Sequence, residues 1–334
     1  MRTNIIIDQA FQALKDYMKI EMDWHILKSG KGKTDHIVML KINTNKVKAA
    51  VMEIGELRKF HIPKLKNMKE ENQNFILIAN NISKPLRRKL REAKINFIDG
   101  TGNTSINIGE IHIYVEGLKG DTRLKEVRTY RVSNLKLLWM ILQKPEYLNR
   151  PYRELAEIAQ VSLDTISKTL NMLKNQGFIV KIDNKKRKLV RKDYLINKWL
   201  NGFEDTLKPK LKRGTYRYAG KDFNQQWPNT KFHTNNILWG GEPAAAKLTK
   251  YLKPEIFTIY TNLTDNEILK KYRIVNDVKG NIEIIEMFFN PEIFRLNDLV
   301  PPLLIYADLQ ITGEDRNLET AKLIYDKYIA NTLQ

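Results

Sequence analysis

An acidic pair on adjacent strand-like stretches, two glycine-bearing turns and a run of basic residues behind a helical pair are what this sequence offers chemistry. Asp35 and Glu53 stand where a metal-dependent nuclease carries the carboxylates that hold Mg²⁺. Such a site also needs a lysine two residues after the second acid, and that position is Gly55, with Lys59 too far along to substitute. The pair therefore reads as vestigial, and no catalytic residue is expected. Asp99-Gly-Thr-Gly-Asn103 could cradle a phosphate through backbone N–H groups. It lacks the lysine and following helix of a P-loop, so a tight turn is the expectation. Trp239-Gly-Gly-Glu-Pro243 carries the Gly-Gly of a nucleotidyltransferase, but no Asp-x-Asp pair follows, Glu255 being solitary on a predicted helix end from Tyr251 to Glu255. Pro243 at a helix start accounts for that motif structurally. Five histidines without paired spacing and no cysteine predict no metal site, no disulfide and no cofactor.

The basic run belongs to a longer pattern, from Pro151 to Lys192, that reads as a winged helix-turn-helix. Pro151 opens a helix in which Leu155, Ile158 and Ala159 share one face. Gln160-Val-Ser162 is a tight turn, with Gln160 at a position that favours glycine because φ is positive there. Ser162 is placed to cap a second helix, whose Ile166, Leu170 and Leu173 form an inward stripe. Thr165, Lys168, Thr169 and Asn171 face elsewhere. Gly177 stops that helix, and Phe178–Ile182 and Leu189–Arg191 form a hairpin around a basic tip. Ser162, Thr165, Lys168, Thr169 and Asn171 on the helix, with Lys185, Lys186, Arg187 and Lys188 on the wing, are the predicted DNA contacts, suited to a major-groove helix flanked by phosphate contacts.

Charge follows the same division. Residues 1–130 carry 24 basic and 15 acidic residues, residues 131–213 carry 19 and 8, and residues 214–334 carry 14 and 15. Positive charge is thus densest across the helix-turn-helix, as expected where a protein meets a polyanion. Apolar residues make up 42% and charged residues 28%, ordinary for a folded soluble protein. No run is long and apolar enough to span a membrane, and Met1–Asp8 is too soon charged for a signal peptide, so a cytoplasmic location is expected.

Three domains of an α+β multidomain protein are predicted. Residues 1–117 alternate a helix from Ile7 to Ile20, paired strands 36–42 and 47–54, a helix 57–71 interrupted at Pro63, a strand 74–79, a helix from Pro85 to Ala93 and strands 96–99 and 110–115. That order suits a restriction-endonuclease-like α/β domain. Gly117–Arg128 reads as a linker, residues 129–200 as the winged helix and residues 214–334 as a mixed α/β domain, approached through a helix over 198–213 that runs into the basic connection Lys208–Arg213. The third has a strand 257–261, a helix 266–272, a strand 282–289 and helices from Pro301 and Asn317, with Gly313 stopping the first.

Asn96–Asn103, the helix-turn-helix, Trp239-Gly-Gly-Glu-Pro-Ala-Ala-Ala246 and Pro301–Leu309 through Arg316–Ala321 resemble, over nearly the full length, transcriptional regulators and antitoxins of the AbiEi type. The resemblance implies a repressor of its own operon that binds double-stranded operator DNA. It also implies a functional pairing with a nucleotidyltransferase-type toxin, possible without direct binding. No membrane partner is expected. The rival reading from the residues alone is a divergent Mg²⁺-dependent DNA nuclease targeted by a winged helix, and a weaker one is a protein-binding scaffold.

Overall fold

A computed structural model of the chain describes residues 5–29, 36–118, 130–182, 186–220, 223, 227–230, 232 and 234–330. Two compact units divide it, Met1–Val127 and Arg128–Gln334. The second holds both the stretch read as a winged helix and the stretch read as a third domain. No helix among the described residues is long and apolar enough to cross a membrane.

The first unit is a seven-stranded sheet whose strands lie in sequence order. After helix α1 (Ile5–Met18) come β1 (Met22–Ser29), β2 (His36–Ile42) and β3 (Asn45–Glu56), an antiparallel meander. Helix α2 (Ile62–Glu71) and α3 (Lys84–Glu92) are crossovers that make β3, β4 (Phe75–Asn81) and β5 (Asn96–Asp99) parallel. Antiparallel β6 (Thr104–Ile108) and β7 (Ile111–Val115) close the sheet. Strand alternation sends Val51, Ile76 and Ile78 to one face, packed with Ile7, Phe11 and Leu14 of α1. Met52, Ile54 and Leu77 go to the other, against Leu65 and Met68 of α2 and Leu86 and Leu90 of α3. The near-continuous apolar run of β4 is buried from Phe75 to Ala79, as a strand covered on both faces must be.

The helix predicted over 57–71 is divided. A 3₁₀ turn, Lys59–His61, precedes α2, and Pro63 falls in its first turn, where no N–H is needed. In that turn His61 is buried, its Nδ1 accepting the Arg58 N–H at 2.9 Å while its ring packs on Phe60 at 4.3 Å. Burial, with Lys64 and Arg58 nearby, lowers its pKa from 6.5 to about 3. A folded-state pKa below the unfolded one means that the stabilisation is complete above pH 6.5 and is lost as the pH falls toward 3. Between pH 7.5 and 5 the first unit should lose about 2 kcal/mol through this group. Urea unfolding at the two pH values checks this: His61→Gln, which keeps an acceptor for Arg58, should remove that part of the pH dependence. An unchanged dependence would show that His61 titrates normally.

The second unit begins with α4 (Val132–Gln143), α5 (Tyr152–Ala159), α6 (Leu163–Asn175) and a two-stranded hairpin, β8 (Ile179–Lys181) and β9 (Arg187–Leu189). Helix α7 (Lys192–Gly202) continues through a π-helical turn, Phe203–Leu207, into α8 (Lys208–Leu211). The expected basic connection is therefore helix and strand, because β10 (Lys212–Tyr218) starts within it. A five-stranded sheet follows, in the order β11 (Ile237–Trp239), β12 (Phe257–Thr261), β14 (Ile282–Glu286), β10 and β13 (Ile274–Asn276). Around it lie α9 (Gly241–Thr249), α10 (Asp265–Tyr272), α11 (Pro291–Phe294), α12 (Pro302–Thr312) and α13 (Asp315–Ile324). Gly313 ends α12 in the left-handed region, at φ 66°. Tyr251–Glu255, expected as a helix end, is not helical: α9 stops at Thr249, and Lys250 leaves it with φ 55°. Within this unit Trp139 of α4 sits against Phe288, Phe289 and Phe294, at ring-centroid distances of 5.0, 5.1 and 4.9 Å, so α4 and the chain after β14 share one core.

Candidate nucleic-acid interface

Helices α5 and α6 are joined by three residues, Gln160, Val161 and Ser162. Gln160 has φ 52° and ψ 50°, so a non-glycine residue occupies the left-handed region. It does so to complete a helix-ending pair of bonds: the Gln160 N–H donates to Glu157 O at 3.2 Å and the Val161 N–H to Ala156 O at 3.0 Å. Ser162 then caps α6, its Oγ accepting the Thr165 N–H at 3.2 Å. The far end of α6 closes the same way with Gly177 at φ 73°, as the Phe178 N–H donates to Leu173 O at 2.9 Å. Because Gln160 is exposed and its cost is backbone strain alone, Gln160→Gly should stabilise the second unit by about 1 kcal/mol. A shift of the urea midpoint to lower denaturant would contradict that reading of the turn.

Leu155 and Ala159 of α5 and Ile166, Leu170 and Leu173 of α6 are buried, which fixes what α6 turns outward. Ser162, Lys168 and Asn171 are exposed and Thr165 is half-buried. Lys168 pairs with Asp164 at 2.7 Å, an i,i+4 contact between side chains 75% and 67% exposed. Pairs of that kind are worth at most a few tenths of a kcal/mol and exchange readily for another anion. Thr169 departs from the sequence expectation. It is fully buried, donates its hydroxyl to Thr165 O at 2.7 Å and accepts from Asn134 of α4 at 2.6 Å, so it locks α6 to α4 and presents nothing outward.

The hairpin pairs Ile179 with Leu189, Val180 with Lys188 and Lys181 with Arg187. Phe178 and Leu189 are buried beneath it, and Lys181, Lys186 and Lys188 are exposed. Arg187 has a different task. Its backbone exchanges two hydrogen bonds with the Asn149 side chain, at 2.8 and 3.0 Å, and its guanidinium donates to the Tyr152 hydroxyl at 3.2 Å. It thus tethers the hairpin to the start of α5. Lys185 lies outside the described residues. Sequence reasoning did not single out Lys181, whose charge, rather than strand alternation with the buried Ile179, marks it as outward, nor Asp164, four residues before Lys168.

The other candidates read from the sequence are positioned differently. Glu53 is half-buried on β3, opposite Ile78 of β4, and Asp35 lies outside the described residues. No group of three His, Asp or Glu suited to a metal ion occurs among the described residues. At Asp99–Asn103 the carboxylate of Asp99 is itself the acceptor for the N–H groups of Thr101 and Asn103, both at 3.0 Å. Those donors are used within the turn, and Asn103 goes on to bond both backbone groups of Leu118 at 3.0 Å.

The Gly-Gly-Glu-Pro segment opens onto a buried polar network rather than a metal pair. A Cβ on Gly241 (φ 46°) would lie 2.5 Å from the Thr258 hydroxyl, and one on Gly240 would lie 2.5 Å from the Tyr260 ring. The close approach lets the Gly241 N–H donate to Asp308 at 3.2 Å. Asp308 is buried and also accepts from the Tyr260 hydroxyl at 3.0 Å and from Lys208 at 2.9 Å. Lys208 pairs in addition with Glu283 at 2.9 Å, and Glu283 with Lys212 at 2.7 Å. Burial alone would lower the Lys208 pKa, but Asp308 and Glu283 outweigh it and hold the ammonium above the ordinary lysine range. Glu242, also buried, accepts from the Glu255 N–H at 2.6 Å, from Arg316 at 3.0 Å and from Asn317 at 3.1 Å. The segments beginning at Trp239, Pro301 and Arg316 therefore meet through Asp308 and Glu242.

Neither a curated protein nor a solved structure matches the chain. Residues 188–330, which contain this network, match the family described as "Transcriptional regulator, AbiEi antitoxin, Type IV TA system". That similarity runs from the second strand of the hairpin to the end of the described chain.

Proposed function

We propose that this protein is a DNA-binding transcriptional regulator that serves as the antitoxin of a type IV toxin–antitoxin system and represses its own operon. Residues 129–200 act as a winged helix on double-stranded operator DNA. Helix α6 enters the major groove, with Ser162, Thr165, Lys168 and Asn171 toward the bases and backbone. Lys185, Lys186 and Lys188 of the hairpin meet phosphates, Lys181 joins them, and Arg187 holds the wing in place. Residues 214–334 carry the antitoxin role, against a nucleotidyltransferase-type toxin that need not be bound directly. Residues 1–117 form an endonuclease-like scaffold that does not cut DNA, and the whole acts in the cytoplasm.

The observation that carries this reading is a capped helix with an exposed polar face, directly followed by a hairpin with three exposed lysines. The family match supports the regulatory and antitoxin roles. The test is binding of the full chain to a duplex from upstream of its own gene and to a shuffled duplex of equal length at one salt concentration. Preference for the first by about 10³ or more is expected of operator recognition. Equal affinity would leave a non-specific binder and remove the repressor role.

A further inference from the structure

The helical layers on the two faces of the first unit's sheet differ sharply in charge. The α1 layer, residues 5–21, holds two lysines against three acids. The opposite layer, built on residues 59–71 and 83–94, holds ten Lys and Arg against three Glu. Its helices α2 and α3 bury Leu65, Met68, Leu86 and Leu90 in one apolar cluster, and Lys69 of α2 reaches the Ala93 carbonyl at the end of α3, at 3.4 Å. The two helices are therefore neighbours, and their outward charges form one field. Part of that charge is neutralised: Arg87 and Arg91 face Glu116, Arg87 faces Asp99, and Arg88 pairs with Glu92. Lys59, Lys64, Lys66, Lys84, Lys89 and Lys94 are exposed and form no salt bridge among the described residues.

We infer that this α2–α3 face is a second polyanion-binding surface, and that its partner is the sugar–phosphate backbone of double-stranded DNA. Charge complementarity selects a polyanion, since six unpaired ammonium groups on one layer repel one another until counter-charge is supplied. Side-chain character selects the kind. A single strand calls for aromatic platforms on which bases stack. Phe60 and His61 are buried, and the exposed Tyr114 is already covered by Arg91 and bonded to Glu116. An anionic membrane surface calls for apolar side chains beside the lysines, and the apolar residues of α2 and α3 are turned to the sheet. Lysines dominate this face, with the exposed Asn67 beside Lys66, and lysine ammonium groups give backbone contacts without base readout. DNA is chosen over RNA because the inference rests on the proposal that the second unit binds operator DNA, to which this face adds sequence-independent affinity.

The experiment uses the full chain carrying Lys64→Ala, Lys66→Ala, Lys84→Ala and Lys89→Ala together, bound to a shuffled duplex across a salt series. The slope of log affinity against log salt should flatten by about 0.9 for each phosphate no longer neutralised, up to about 3.6, while preference for the upstream duplex over the shuffled one stays unchanged. The fourfold Lys→Arg variant should retain the wild-type slope, which separates removal of charge from a damaged fold. An unchanged slope in the alanine variant overturns the inference. So does a duplex RNA competitor that binds more tightly and is the species the variant no longer holds. A Lys186→Ala, Lys188→Ala chain measured in parallel distinguishes the two surfaces. A flattened slope with the hairpin variant alone overturns this face and leaves the operator reading standing, and a flattened slope with the α2–α3 variant alone does the reverse.

Discussion

A Lys208→Met variant is expected to lose about 3–5 kcal/mol of the second unit's stability, enough to unfold many domains. The ammonium of Lys208 sits 2.9 Å from both Asp308 and Glu283, and Asp308 is 2% exposed. Removing the cation leaves Asp308 buried with the Tyr260 hydroxyl and the Gly241 N–H as its partners among the described residues. Glu283 suffers less, because Lys212 still reaches it at 2.7 Å. The destabilisation is therefore attributable mainly to Asp308, and the double variant Lys208→Met with Asp308→Asn should recover a large part of it. Tryptophan fluorescence through a urea titration reads the effect, since Trp239 is buried beside the network. A midpoint within a few tenths of a kcal/mol of wild type would show that the ion pairs contribute nothing net. The network also joins elements far apart in sequence, α8, β12, β14 and α12, so its disruption should remove the proposed antitoxin role along with the fold.

Elements with strong local patterning were legible from the sequence. The alternating runs 36–42 and 47–54 pair as β2 and β3, the apolar run at 75–79 is the doubly covered β4, and Gly313 ends α12. Strands whose stabilisation comes from distant residues were not. β10 opens Lys212-Arg213-Gly214, which reads as a solvated connection until Glu283, Asp265 and Glu286 are brought against it. β1 carries Asp23, His25 and Lys28 among its apolar residues, and being at the sheet edge it needs only one covered face. At the candidate interface, periodicity separated the inward stripe of α6 from its outer face but misplaced Thr169. A threonine between the two faces goes inward when its hydroxyl finds partners there, and one of them, Asn134, is 35 residues away. The Glu242–Arg316 and Lys208–Asp308 pairs, 74 and 100 residues apart, left only unexplained motifs in the sequence. Glu242 draws its donors from segments on both sides of β12, and no local rule announces such a need.

The binding account rests on α6 and the basic hairpin forming one DNA-facing surface. Lys185→Ala, Lys186→Ala and Lys188→Ala together should weaken binding to every duplex by a similar factor, because phosphate contacts carry no sequence information. Arg187 is left intact in this variant, since its bonds to Asn149 and Tyr152 hold the hairpin and its removal would confuse missing charge with a displaced wing. The most direct measurement is the affinity of the full chain for its upstream duplex between about 50 and 200 mM salt, wild type against this variant. The expected result is a slope flattened by about 0.9 for each phosphate no longer neutralised, up to about 2.7, with the preference for upstream over shuffled duplex retained. An unchanged affinity and an unchanged slope would remove the hairpin from the interface and contradict the account.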